Sequence, residues 1–305
     1  MSSNVAALDC GSNSTRLLVV DADRRTLARE MRITRLAEGV DATGELTAPA
    51  LARSYDVLTH FRAVLDHYEV ARGLLVATSA VRDAANGAEF LARAAHITGV
   101  SARLLRGEEE AAYSYAGATR DLAQDARPTL VVDIGGGSSE LAVCLAGVVR
   151  GYSMQLGCVR VTERALGPGI VTPAQDAAAR AMVGAELDRA FTAMPALSTL
   201  VGAARLVGLA GTVATLAQLD AGLRVYDRTA VHLRLMTSED VTRWRTRLAA
   251  LTPAERLTLP GMVPGREDVL VAGLYILSMV MERFRVNDLL SSEDDILDGV
   301  AASLI

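Results

Sequence analysis

The sequence predicts an α/β protein built from two related lobes, and three observations predict it. The first is Leu130 to Glu140, Leu-Val-Val-Asp-Ile-Gly-Gly-Gly-Ser-Ser-Glu, followed by a second apolar run from Leu141. The leading run reads as a buried strand, the glycines as a tight hairpin turn, and Leu141 to Leu145 as the returning strand. The second is a repeat: between the apolar runs of Val5 to Val20, Asp9-x-Gly11-Ser12-Asn13-Ser14-Thr15 matches Asp133-x-Gly135-Gly136-Gly137-Ser138-Ser139 position for position. The copies lie a domain's length apart, too far for a solenoid unit. The third is material: 305 residues, 50% of them hydrophobic, suffice for two cores. The expected lobes are residues 1–124 and 125–305, with the terminal helix able to pack back on the first.

Taken in order, strand, hairpin and strand fill Val5 to Asp21, and a further strand runs from Thr26 to Leu36. Arg35 to Asp41 is a loop. Leu46 to Tyr68 has helical spacing, with Thr47 as cap before Pro49. Leu74 to Thr78 is a buried strand ending in Thr78-Ser79-Ala80-Val81-Arg82, Asn86 to Ile97 a helix, and Ala102 to Leu105 a strand leading to the helix opened by Glu108-Glu109-Glu110. Arg120 to Pro128 is polar and marks the boundary. The second lobe continues with a strand at Val148 to Met154, a loop at Gly157 to Glu163, and a long helix from Ala174 to Met194 behind Thr172-Pro173. Leu206 to Ala210 is a strand turning through Gly208-Leu-Ala-Gly211-Thr212 into a helix. Capped helices follow from Ser238 and Pro253, then an apolar helix over Val269 to Met281, and a last strand from Leu289 running into a terminal helix.

Composition narrows the chemistry. A net charge of −5 argues against nucleic acid as a partner. All 31 basic residues are arginine, which excludes the P-loop lysine, the kinase strand lysine and Schiff-base chemistry, while supplying forks that take phosphate oxygens in pairs. Cys10, Cys144 and Cys158 are odd in number and form no Cys-x-x-Cys pair, so free thiols are expected. Residues 1–4 are uncharged and Asp9 interrupts the first apolar run, so no leader is expected. Val269 to Met281 is too short to span a bilayer. A cytoplasmic protein without a membrane partner is the expectation.

Each glycine turn leaves backbone N–H groups on one side with little bulk to block an anion. Phosphate is the natural guest of Gly11, Ser12, Asn13 and Ser14, and of Gly135, Gly136, Gly137, Ser138 and Ser139. Asp133 and Glu140 flank the second turn, spaced to hold a hard cation or a water beside that phosphate. Arg82 stands at a strand's carboxyl end, where open α/β sheets bind ligands. Gly211 and Thr212 open a helix and form a second anion-binding candidate. Among Glu108, Glu109 and Glu110, acidic residues that also suit a helix start, at least one is expected to serve as a general base.

Asp9-Cys-Gly-Ser-Asn-Ser, Arg35-Leu-Ala-Glu-Gly-Val-Asp, Thr78-Ser-Ala-Val-Arg-Asp, Gly107-Glu-Glu-Glu-Ala, Asp133-Ile-Gly-Gly-Gly-Ser-Ser-Glu, Gly208-x-x-Gly-Thr and Pro264-Gly-Arg-Glu-Asp-Val together resemble the exopolyphosphatase and guanosine pentaphosphate phosphohydrolase (Ppx/GppA) family. The resemblance covers nearly the whole chain in order. It implies an actin-like fold of two ribonuclease-H-like lobes with the active site in the cleft between them. It also implies Mg²⁺-dependent hydrolysis of terminal phosphoanhydrides and a homodimer. By position it makes Glu110 the general base, Asp133 and Glu140 metal and water ligands with Asp9 as the first-lobe counterpart, and Arg82 a phosphate-binding arginine. Glu108 and Glu109 keep the helix-start role.

Two departures modify what is implied. The chain ends soon after its second lobe, without the extra helical domains of longer members, which favours short polyphosphate chains. Arginines such as Arg160, Arg164 or Arg266 would replace lysines along the substrate path. The expected activity is release of terminal phosphate from inorganic polyphosphate, with pppGpp as the alternative substrate. A kinase of the same fold and a non-catalytic polyphosphate or alarmone sensor are the remaining readings.

Overall fold

The computed structural model describes residues 4–123 and 125–305, which divide into two compact units: 1–119 with 295–305, and 120–294. The expectation about a leader at residues 1–3 and the boundary drawn at Gln124 lie outside the described residues.

The first unit is a five-stranded mixed sheet of β1 (Val5–Cys10), β2 (Ser14–Val20), β3 (Thr26–Ile33), β4 (Arg72–Ala77) and β5 (Ser101–Leu104) in the order β3-β2-β1-β4-β5. β2 runs antiparallel to β1 and β3, while β4 and β5 are parallel to β1. Its helices are α1 (Val40–Thr43), α2 (Ala48–His67), α3 (Ser79–Asp83), α4 (Gly87–Thr98) and α5 (Gly107–Ala118). Both faces of β1 are covered, which is why it reads as an unbroken apolar run. Ala6, Leu8 and Cys10 join Leu58, Phe61 and Phe90 in one core, whereas Val5 and Ala7 belong to another.

The second unit has β6 (Thr129–Ile134), β7 (Ser139–Leu145), β8 (Val148–Met154), β9 (Arg205–Leu209), β10 (Leu235–Thr237) and β11 (Asp288–Ser291) in the order β10-β11-β9-β6-β7-β8. Read from β8 to β11, the order and strand directions repeat those of the first unit, with β10 added at the edge. Its helices are α6 (Cys158–Val161), continued by a wider turn over Thr162–Leu166, α7 (Pro173–Ala193), α8 (Ala210–Ala221), α9 (Arg228–Val231), α10 (Ser238–Ala249), α11 (Pro253–Leu257) and α12 (Leu270–Phe284). The last helix, α13 (Ile296–Ala302), returns to the first unit, where Ile296, Leu297 and Val300 cover Val5 and Ala7. Gly117 and Gly299 permit its close approach to α5, since a Cβ on either would come about 2 Å from a carbonyl oxygen of the facing segment. Each unit is a ribonuclease-H-like α/β layer, and the duplicated pair is the actin-like class the resemblance implied.

Several boundaries differ from expectation for local reasons. β3 stops at Ile33, because the amides of Thr34 and Arg35 turn to Asn13 O instead of continuing the ladder. The polar segment after β4 is already helix from Ser79, and the expected loop at Gly157 to Glu163 is α6 with its wider turn. Among the described residues no helix is long and apolar enough to cross a membrane.

Candidate active site

In the first unit, the turn between β1 and β2 closes through Gly11 N–H to Ser14 O at 3.1 Å. A Cβ on Gly11 would stand 3.1 Å from that oxygen, so the turn favours glycine for close approach. The turn's carbonyls face the segment after β3: Ser12 O accepts from Ala37 N, and Asn13 O from Thr34 N and Arg35 N, at 2.9 to 3.1 Å. The amides of Ser12 and Asn13 donate to no backbone carbonyl among the described residues. The Asn13 Nδ2 is buried with no hydrogen-bond partner there, and Ser12 Oγ lies 3.0 Å from Ser79 Oγ.

Asp9, at the end of β1, is buried; its Oδ2 accepts from Arg16 Nε (3.0 Å) and Nη2 (2.6 Å). Arg16 also bridges to Asp295. Burial pushes the Asp9 carboxyl above its usual range, against the opposing pull of Arg16. α3 aims Arg82 from the end of β4: Nη1 donates to Leu105 O at 2.8 Å and lies 3.6 Å from Glu110 Oε2, while the buried Nη2 has no hydrogen-bond partner among the described residues. The three glutamates of α5 separate by burial. Glu108 is exposed, Glu109 folds back onto Arg106 N at 3.0 Å as the helix cap, and Glu110 is buried beside Arg82. That backbone bond holds the Glu109 carboxyl below its ordinary range.

The second unit repeats the arrangement. Asp133 and Glu140 are direct partners across β6 and β7, both buried. Gly135 N–H closes the turn on Ser138 O at 3.1 Å, the counterpart of Gly11 to Ser14. Gly135 O accepts from Cys158 N, and Gly136 O from Val159 N and Arg160 N, so the start of α6 takes the turn's carbonyls. Gly157 is required there, because a Cβ would come within 2.2 Å of Gly136 O. The amides of Gly136, Gly137 and Ser138 donate to no backbone carbonyl among the described residues. Gly11 and Gly135 thus spend their amides on closing the turns. Ser14 and Ser139 lie in strands; the buried Ser139 Oγ has no hydrogen-bond partner among the described residues. Ser153, on β8, donates to Glu140 Oε1 at 2.6 Å.

Gly211 and Thr212 do open α8, but the Arg266 guanidinium lies where a Gly211 side chain would stand, 1.7 Å from the position of its Cβ. The preceding Ala210 has φ +67°, a conformation that costs a non-glycine residue about 1 kcal/mol. Sequence reasoning missed Arg16 and Ser153, because hydroxyls and arginines inside strands carry no spacing signal, and it named Ser79 within its motif without giving it a role. Gly157 was detectable in principle as a glycine between a strand and a helix.

In the second unit the paired carboxylates Asp133 and Glu140 offer the oxygen donors a hard cation takes; in the first unit the buried Asp9 Oδ1 has no hydrogen-bond partner among the described residues. A different group, Asp121, His232 and Asp294, places possible ligand atoms within 4.8 Å of one another. There, however, Asp294 takes Arg120 at 3.0 Å and Arg228 at 2.5 Å, and His232 Nδ1 accepts from Glu293 N, so the carboxylate charge is already balanced.

The Ppx/GppA phosphatase family profile matches residues 18–305. The chain is 39% identical to Exopolyphosphatase 2 of Mycobacterium tuberculosis over 98% of both chains. It is 29% identical to the guanosine-5'-triphosphate,3'-diphosphate pyrophosphatase of Vibrio cholerae, over 98% of this chain and 59% of that one. A crystal structure of an exopolyphosphatase-like protein matches with a TM-score of 0.92 and 34% identity, covering 98% of each chain.

Proposed function

The chain belongs to the Ppx/GppA phosphatase family, whose members hydrolyse phosphoanhydride bonds with the help of a metal, and from that premise we propose that it is an exopolyphosphatase. It releases terminal orthophosphate from inorganic polyphosphate by attack of water. The observation that carries this reading is Glu110, the one buried glutamate of its triplet, held 3.6 Å from an arginine that keeps one nitrogen unspent. Arg82 Nη2 takes an oxygen of the terminal phosphoryl group, and Glu110 accepts the proton of the attacking water. The amides of Ser12 and Asn13, and those of Gly136, Gly137 and Ser138, bind the remaining phosphate oxygens, with the Gly211–Thr212 helix start and Arg266 as a further grip. Asp133, Glu140 and Asp9 would hold Mg²⁺, which supplies neutralisation of charge on the transferring group. Ser153 orients Glu140 for that task. Phosphoryl transfer needs positioning and charge stabilisation more than covalent help, which suits a site whose groups are amides, carboxylates and guanidinium forks. The functional lobes are taken as residues 1–124 and 125–305, with the terminal helix packed back on the first, and the enzyme as a cytoplasmic homodimer.

The test is phosphate release from tripolyphosphate, longer polyphosphate and pppGpp, each with Mg²⁺ and with EDTA. Polyphosphate turnover lost in EDTA is the expected result. The similarity to the Vibrio cholerae enzyme supports pppGpp as the second substrate, and faster release from pppGpp than from any polyphosphate would replace the first reading by that one.

A further inference from the structure

We propose that Arg53, on α2, is a positioning residue for this reaction, holding the segment that aims the first phosphate-binding turn. The proposal rests on the function proposed above and adds a residue no motif contains.

The N–H and C=O of a trans peptide point in opposite directions, so fixing one end aims the other. Ser12 O is held by Ala37 N at 2.9 Å, which turns the N–H of the same peptide, that of Asn13, away from the segment after β3. Asn13 O is held by Arg35 N at 3.0 Å, and the other end of that Arg35 peptide is Thr34 O. Thr34 O accepts from Arg53 Nε at 2.8 Å, and Arg53 Nη2 reaches Arg35 O at 3.4 Å and Glu38 Oε2 at 2.7 Å. Arg53 therefore anchors the far end of a two-peptide relay that ends at the Asn13–Ser14 peptide, adjoining the peptide that carries the Asn13 N–H; Asn13 O also accepts from Thr34 N at 3.1 Å.

The second unit explains why an anchor is needed in the first. Behind the second turn, the amides on Gly135 O and Gly136 O come from the start of α6, where helix geometry aims them in parallel. Residues 34 to 37 are not helical, and Arg35 stands at φ +49°. A side chain from α2 supplies the restraint that a helix supplies elsewhere. The Arg53–Glu38 ion pair is half exposed and contributes little by itself, so the carbonyl contacts are the operative ones.

The experiment compares Arg53→Met, Arg53→Lys and Glu38→Gln with the wild-type chain. The readouts are kcat and KM on tripolyphosphate with Mg²⁺, the unfolding midpoint, and hydrogen exchange at the amides of Arg35 and Ala37. Arg53→Met is expected to lower kcat/KM about tenfold, because small displacements of substrate-binding groups are amplified in rate. It should also speed exchange at those two amides at least tenfold while leaving β1 protected. Lysine should restore part of both, and Glu38→Gln should stay within twofold of wild type. Unchanged exchange in Arg53→Met overturns the proposal, as does kcat/KM within twofold of wild type, or an equal loss in Glu38→Gln. A wild-type chain that hydrolyses none of the phosphate substrates removes the underlying functional reading instead, and exchange then still decides whether Arg53 holds the turn.

Discussion

Cys158 stands at the start of α6 with its amide on Gly135 O at 2.9 Å, and its thiol is buried. Burial pushes that thiol up to about 11, against the opposing pull of Arg266, and pushes Cys10 well above its usual value; Cys144 is half exposed. A thiol raised in the fold is indifferent below the unfolded value near 9.0 and destabilises progressively as pH rises from there towards about 11. Iodoacetamide at pH 8 is therefore expected to modify Cys144 alone in the native protein and all three after denaturation, read by intact mass. Rapid native labelling of Cys158 would contradict the placement. The sequence identified these as free thiols but could not rank them, since ranking depends on which strand face is covered. Spacing alone likewise left Glu108, Glu109 and Glu110 open, and only the resemblance singled out Glu110; in the fold Glu110 is the buried one and Glu109 caps the helix.

At the scale of elements, Arg256 shows what periodicity hides. It lies on the short α11 and looks like one more surface arginine, yet it is among the most buried side chains of the protein. Its guanidinium donates to Leu248 O, Pro168 O, Gly169 O and Glu267 O, joining the end of α10, the segment before α7 and the segment carrying Arg266. Burial lowers its pKa, but four carbonyl dipoles keep the cation hydrogen-bonded. Arg256→Met leaves those carbonyls buried without donors and is expected to cost roughly 3 kcal/mol or more, measured by urea unfolding; a loss under about 1 kcal/mol would refute the hub role. By contrast α2 and α7 were legible from Thr47 with Pro49 and from Thr172 with Pro173, because caps and prolines act locally. α3, α6 and β10 were not, being three to five residues long and fixed by contacts remote in sequence.

For the whole molecule, the duplicated Asp-x-Gly turn carried most of the information. It predicted two related lobes, and the structure has two sheets that share a strand order, each with the same closing hydrogen bond from the first glycine. The parts of the candidate site that lie on the repeat or on recognised motifs were legible: Asp9, Arg82, Glu110, Asp133 and Glu140. Their supports, Arg16, Ser79, Ser153 and Arg53, were not, since each reaches its partner through the sheet or from a neighbouring helix. In the proposed mechanism Glu110 takes the proton of the attacking water, and the decisive experiment is steady-state kinetics of Glu110→Gln on polyphosphate with Mg²⁺. The mechanism predicts a fall in kcat of about 10² to 10⁴-fold, with KM and the unfolding midpoint near wild type. A folded Glu110→Gln protein that keeps kcat within a few-fold of wild type would contradict it.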